Sequence, residues 1–304
     1  MLLTAENLRK NYGMKQLLDG VTLYLNQGER IGLIGVNGTG KSTLLKILAG
    51  AESPDEGRVA LDPNVQVSYL PQTPALNDGL TVLEQVFAGH PADFREINEY
   101  ESKTILTKLG IADFDRKIGE LSGGQRKRVA LATVFVHPAD VLILDEPTVG
   151  LDPKQIIDIR NLIKSLGKKH TIILSSHILP EVQAICSRVI VINNGKIVAD
   201  DTAENLSKNL STDHRFTVRI EGPESDVYRL LSTIPVMKEV TTLGEKEPGS
   251  FDYIIESKPD TDCRREMFKR LSERNFPILS LRSSELTLED IFLQLTDSKS
   301  GGAK

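Results

Sequence analysis

The run Gly35-Val-Asn37-Gly38-Thr-Gly40-Lys41-Ser42 satisfies the spacing G-x-x-x-x-G-K-[ST] in full, with Thr43 next. Glycines at those positions let successive backbone N–H groups wrap phosphates at a helix N-terminus, where the helix dipole also favours anions. Lys41 is placed to reach the β- and γ-phosphates of a nucleotide and Ser42 to ligate Mg²⁺. Apolar Val141-Leu-Ile-Leu144 runs later into Asp145-Glu146. Carboxylates at the carboxyl end of a buried strand sit where phosphates bind in α/β sheets, so Asp145 can hold Mg²⁺ directly or through water. Glu146, one residue on, suits a general base that polarises an attacking water. Either motif alone has a plainer reading, a glycine-rich turn or an ordinary acidic strand end; together they reinforce each other.

A third motif, Leu121-Ser122-Gly123-Gly124-Gln125, opens the helical pattern Arg126-Lys-Arg-Val-Ala-Leu-Ala132 and offers a second anion-binding helix terminus. With it the chain resembles the ATP-binding cassette (ABC) family, whose signature is Leu-Ser-Gly-Gly-Gln. The resemblance covers about residues 2–210, with its motifs in order. It implies ATP and Mg²⁺ as ligands and several further roles. Tyr12 would stack on adenine. Gln72, in Tyr69-Leu-Pro-Gln72, would contact Mg²⁺ and couple the site to a membrane partner. Asp152, in Gly150-Leu-Asp152, would belong to the D-loop, and His177 would face the γ-phosphate. In this family two cassettes close head to tail, each ATP lying between one phosphate loop and the other chain's signature. Ser122, Gly123, Gly124 and Gln125 would therefore act in trans, in a homodimer or a heterodimer with another cassette chain. His90, His137, His170 and His214 match no family position.

The two halves resemble different branches. Residues 1–145 are similar to the first cassette of the ABC-F branch, in Arg30-Ile-Gly-Leu-Ile-Gly and in Glu120-Leu-Ser-Gly-Gly-Gln-Arg-Lys-Arg. From Glu146-Pro-Thr-Val-Gly-Leu-Asp152 through Thr287-Leu-Glu-Asp-Ile-Phe292 the chain is similar to ATP-binding subunits of exporters, gliding-motility-associated ones included. The chain reads as a mosaic of the two. The leading expectation is an ATPase subunit that powers transport through a separate membrane permease. The alternatives are a ribosome-associated ATPase and an ATP-gated dimerisation switch with little turnover.

The elements that must position these residues follow from patterning. Strand signals lie at Leu2–Ala5, Val21–Leu25 and Glu29–Ile34, and the phosphate loop leads into a helix over Thr43–Ala49 stopped by Gly50. A polar, mainly helical stretch spans Thr81–Leu109. Strands at Val141–Leu144, Thr171–Ser175 and Val189–Ile192 alternate with helices at Gln155–Leu166 and Leu179–Cys186, and Asn193-Asn-Gly195 makes a hairpin turn into Lys196–Val198. The expected fold is α/β: a P-loop cassette with a mixed sheet core over residues 1–210, including a helical subdomain at about 73–135. A boundary in the polar run near 206–213 precedes a small α+β domain over 211–304. Its order of strand, helix, two strands, helix and strand (216–221, 225–232, 236–242, 251–256, 264–274 and 278–282) is ferredoxin-like. A last helix is expected over Thr287–Thr296, then a frayed end.

Composition agrees. The 304 residues are 39% hydrophobic and 26% charged, as in ordinary globular proteins, and the formal charge of −5 gives no reason to expect nucleic-acid binding over the whole chain. No apolar run reaches bilayer-spanning length and no secretory signal is seen, so the expected place is the cytoplasm, peripheral on the inner membrane face through the permease. Cys186 and Cys263 read as free thiols.

Overall fold

A computed structural model describes residues 1–210, 215–258 and 261–283. The chain divides into a first unit over Met1–Ala203 and a second that begins at Glu204.

The first unit holds two sheets. Strands β1 (Leu3–Tyr12), β2 (Lys15–Leu25) and β4 (Glu56–Leu61) form an antiparallel sheet of order β2-β1-β4. The second has six strands in the order β5-β6-β7-β3-β8-β9, made of β3 (Arg30–Ile34), β5 (Val67–Leu70), β6 (Val141–Asp145), β7 (Thr171–Ser175), β8 (Arg188–Asn193) and β9 (Lys196–Asp201). Its first five pair in parallel and β9 closes the edge antiparallel to β8. Every residue of β6 and β7 is buried, which is why these strands read as unbroken apolar runs rather than alternating ones. Leu23 and Leu25 of β2, Ile31 and Leu33 of β3, Ile143 of β6 and Ile173 of β7 share one core with Leu44, Leu45 and Ile47 of helix α1 (Lys41–Leu48).

Helices α2 (Val82–Val86), α3 (Ala92–Lys108) and α4 (Gly123–Val136) follow β5, and α5 (Pro153–Leu166) and α6 (Leu179–Ile185) connect the central strands. Their starts are written locally. Thr81 and Glu84 make a reciprocal capping box on α2, as do Ser122 and Gln125 on α4. Asp152 accepts from the Gln155 N–H at 2.9 Å ahead of Pro153 at the start of α5. The β8–β9 hairpin turns on Asn194 and Gly195, both at positive φ (47° and 74°), as a two-residue hairpin requires. Among the described residues no helix is long and apolar enough to cross a membrane.

The second unit contains β10 (Arg215–Glu221), α8 (Glu224–Ser232), β11 (Met237–Glu247), β12 (Ser250–Ser257), α9 (Arg264–Glu273) and β13 (Ile278–Ser283) after helix α7 (Ala203–Leu210). Its antiparallel sheet has the order β11-β12-β10-β13, the ferredoxin-like topology. Val218, Ile220, Tyr253 and Ile255 pack against Val227, Leu231, Met267 and Leu271 of its two helices.

Several elements depart from the sequence expectation. The strand expected at Leu2–Ala5 runs on to Tyr12 and the one at Val21–Leu25 starts at Lys15, because the two form a long hairpin whose outer half is polar and exposed. Strands β4 and β5 lie outside the expected elements; β4 has no buried residue and is held by pairing with β1. Part of the polar run read as a boundary is helical as far as Leu210. The rest of that run (211–213), the helix expected over 287–296 and the expected frayed end lie outside the described residues.

Candidate functional site

The turn from β3 into α1 is the site's floor. Gly40 caps α1 at φ 100°, and a Cβ there would stand 2.5 Å from the Leu17 carbonyl oxygen. A Cβ at Gly35 would stand 2.6 Å from the carbonyl oxygen of Ile192. Left-handed backbone at one glycine and close approach at the other admit no side chain. Around the turn lies a cavity of about 320 Å³ lined by Leu17, Asn37, Gly38, Gly40, Lys41, Ser42, Thr43, Gln72 and Glu146. Lys41 is buried, and its ammonium donates to the Gly35 carbonyl at 2.8 Å and that of Val36 at 3.3 Å. Burial pulls its pKa down, while the charges of Glu146 and Asp145 act in the opposite direction.

Two carboxylates close the end of β6. Asp145 is 1% exposed and accepts from the Ser175 hydroxyl at 2.7 Å, and the same Ser175 oxygen accepts from the Glu146 N–H at 2.9 Å. Glu146 stands at φ 48°, a left-handed conformation uncommon for a residue with a side chain. That turn brings its carboxylate to the cavity, where Oε2 lies 3.0 Å from Nδ1 of His177. The imidazole is half exposed and the carboxylate buried. A buried carboxylate beside an imidazole, facing a lysine and a hydroxyl across a polar cavity, can orient a water and meet negative charge.

Other anticipated residues lie elsewhere. Ser122 and Gln125 hold each other in the α4 capping box, and Gly123 and Gly124 line a second cavity of about 340 Å³ with Gln72, Lys127 and Gly150. None of the four lines the phosphate-loop cavity of its own chain. Asp152 caps α5. Tyr12 is half exposed at the end of β1, its hydroxyl donating to Glu52 at 2.6 Å, and it too is absent from the cavity lining. That hydrogen bond, ahead of desolvation, raises the phenol's pKa.

Three residues of this region escaped the sequence reading. Ser175, fully buried, joins Asp145 to Glu146, and the small hydroxyl pair Ser175-Ser176 ending an apolar strand was its only signal. Lys127 donates to the Gln72 carbonyl at 2.9 Å. Glu181 accepts from the buried Thr148 hydroxyl at 2.6 Å and so ties the loop after Glu146 to α6. Of the unassigned histidines, His90 and His137 pack edge to face at 4.1 Å between ring centroids, His170 meets the Ala139 carbonyl, and His214 lies outside the described residues.

The family model described as ABC transporter matches residues 18–149. Linearmycin resistance ATP-binding protein LnrL of Bacillus subtilis (strain 168) is 27% identical, with 97% of this chain and 98% of that protein covered. Nod factor export ATP-binding protein I of Burkholderia orbicola (strain AU 1054) is 33% identical, with 95% of each covered. YfmR of Bacillus subtilis (strain 168), an uncharacterized ABC transporter ATP-binding protein, is 43% identical over 51% of this chain, which spans 30% of its length. Among solved structures, the ATP binding subunit of an ABC transporter superposes with a TM-score of 0.62 at 26% identity, covering 69% of this chain and 93% of that one. The dimeric, post-hydrolysis cassette MJ0796 bound to ADP and Pi superposes with a TM-score of 0.59 at 25% identity, covering 66% and 98%. With these likenesses and a phosphate loop facing a strand-end carboxylate, the chain belongs to the ABC transporter ATP-binding proteins, cassettes that bind and hydrolyse ATP.

Proposed function

We propose that the chain is the Mg²⁺-dependent ATP-hydrolysing subunit of an exporter, working as a cassette dimer on a separate membrane permease. The observation that carries this reading is the Glu146–His177 contact of 3.0 Å, at a carboxylate lining the same cavity as Lys41 and Ser42. In the reaction Glu146 takes the proton of the attacking water and His177 donates toward the γ-phosphate. Lys41 leaves the Gly35 carbonyl for the β- and γ-phosphates, and the N–H groups of the Gly35–Thr43 turn, with Asn37, Gly38 and Gly40 in it, cradle them. The exposed ring of Tyr12 stacks on adenine. Ser122, Gly123, Gly124 and Gln125, with Asp152, complete the site of the opposite protomer, where their donors meet charge developing on the γ-phosphate.

The donor set near the loop is all oxygen, namely the Ser42 hydroxyl, the Gln72 amide oxygen and the Asp145 carboxylate, which suits a hard divalent cation. Bound there with the phosphates, Mg²⁺ would neutralise charge as it develops. The exporter reading draws on the full-length likeness to proteins named for Nod factor export and linearmycin resistance. In this reading residues 1–210 are the cassette and 211–304 an accessory domain, and the protein sits on the inner membrane face through its permease.

The test is to express Glu146→Gln in cells, hold ATP in place and ask what sediments with it. Recovery with membranes, lost when ATP is washed out, is the expected result. Recovery with ribosomes, or only a soluble dimer, would contradict the exporter reading.

A further inference from the structure

Lys127 sits one turn into α4, just past the Leu-Ser-Gly-Gly-Gln turn, and is only 8% exposed. A buried ammonium must recover its lost hydration from hydrogen-bond acceptors. Its hydrogen bond goes to the backbone carbonyl of Gln72, 2.9 Å away. Burial works against its charge, and the carboxylates of Asp145 and Glu146 work to keep it.

The segment holding Gln72 has little else to fix it. Strand β5 ends at Leu70, and among the described residues no backbone–backbone hydrogen bond is made by residues 71–76. Gln72 borders both the phosphate-loop cavity and the second cavity next to Gly123, Gly124 and Gly150. Gln72 is exposed, with open space on two sides, and the hydrogen bond from α4 anchors its backbone.

We propose that Lys127 is a positioning residue for ATP hydrolysis: its ammonium ties the backbone of Gln72 to the start of α4, so that the glutamine side chain is held at the edge of the phosphate-loop cavity. This rests on the reading of Gln72 as part of the hydrolytic site. The lysine fixes where the Gln72 side chain sits at the cavity, and it contributes nothing once that side chain is gone.

The test is a double-mutant cycle on the full chain, with ATPase kinetics and nucleotide affinity read for Lys127→Met, Gln72→Ala and the pair. Because a hydrogen bond from a charged donor is at stake, Lys127→Met is expected to lower kcat by roughly tenfold, with the affinity for ATP within about twofold. In the Gln72→Ala background the same substitution is expected to change kcat by less than about twofold. Lys127→Arg, which keeps a charged donor, should recover most of the loss, and Lys127→Gln, which lacks the charge, carries the test if Lys127→Met does not fold. Equal losses in both backgrounds, or no loss in either, would overturn the proposal. A Gln72→Ala variant with normal kcat would overturn the role of Gln72 itself, and that result is visible without the lysine variants.

Discussion

Ser175→Ala should damage both stability and turnover, and the size follows from two contacts. The hydroxyl donates to the carboxylate of Asp145 at 2.7 Å and accepts the N–H of Glu146 at 2.9 Å, with Ser175 fully buried. A hydrogen bond to a charged group contributes about 1.5–3 kcal/mol, and a buried N–H left without an acceptor costs about 1–3 kcal/mol. The two losses share one oxygen and are not fully additive, so a combined destabilisation of about 3 kcal/mol is expected. For a unit of this size that lowers Tm by roughly 6–12 °C. Glu146, at φ 48°, also loses the tether that holds its turn, and kcat should fall with it. Urea unfolding and steady-state ATPase assays on the same preparation measure both. Ser165→Ala, which removes an exposed hydroxyl bonded to the Leu162 carbonyl on α5, should stay within about 0.5 kcal/mol of the parent and serves as the control. If Ser175→Ala also stayed within about 0.5 kcal/mol and kept its turnover, the account of how the two carboxylates are held would be wrong.

Three further outcomes are expected. Lys41→Met should weaken ATP binding by roughly 10- to 100-fold, as loss of a charged hydrogen-bond donor implies, and lower the stability of the empty chain by about 1–3 kcal/mol, since the Gly35 and Val36 carbonyls lose their donor; a fluorescent-nucleotide titration alongside a melt separates the two effects. Gly40→Ala should be destabilised by at least about 1–2 kcal/mol from its left-handed backbone alone, with a clash against the Leu17 carbonyl in addition, and chemical denaturation reads it. Burial, and then His90, hold the pKa of His137 below the ordinary histidine value. The unfolded chain therefore takes up a proton that the folded chain refuses, and stability is lost as pH falls through about 6.5 toward the lower folded value. Replacing His137 with Gln should flatten that part of a urea-midpoint profile against pH.

The local parts of the site were legible in the sequence because each is written in adjacent residues. The Gly35–Ser42 turn, the apolar run ending in Asp145-Glu146 and the capping pattern Ser122–Gln125 each declare themselves within a few positions. The pieces supplied by neighbouring strands and helices were not. Ser175 matters because β7 pairs in parallel with β6 and brings residue 175 beside residue 145, a register no local pattern announces. Lys127 reads as one more charge in a basic stretch until α4 packs against the end of β5. The fold follows the same division. Buried parallel strands and the Asn194-Gly195 hairpin stand out, whereas β4 exists through its pairing with β1 and carries no apolar stripe. Likewise nothing in the adjacent residues marks the hydroxyl bond from Tyr12 to Glu52.

Glu146 is the proposed base of an ATP-hydrolysing site built on the Lys41 loop. The most direct test measures ATP binding, hydrolysis and oligomeric state together for the parent chain and Glu146→Gln. Since a positioned base contributes about 10²–10⁴-fold, hydrolysis should fall by at least ~100-fold while ATP still binds and stays uncleaved in a closed dimer. Hydrolysis by Glu146→Gln at the parent rate would contradict the account.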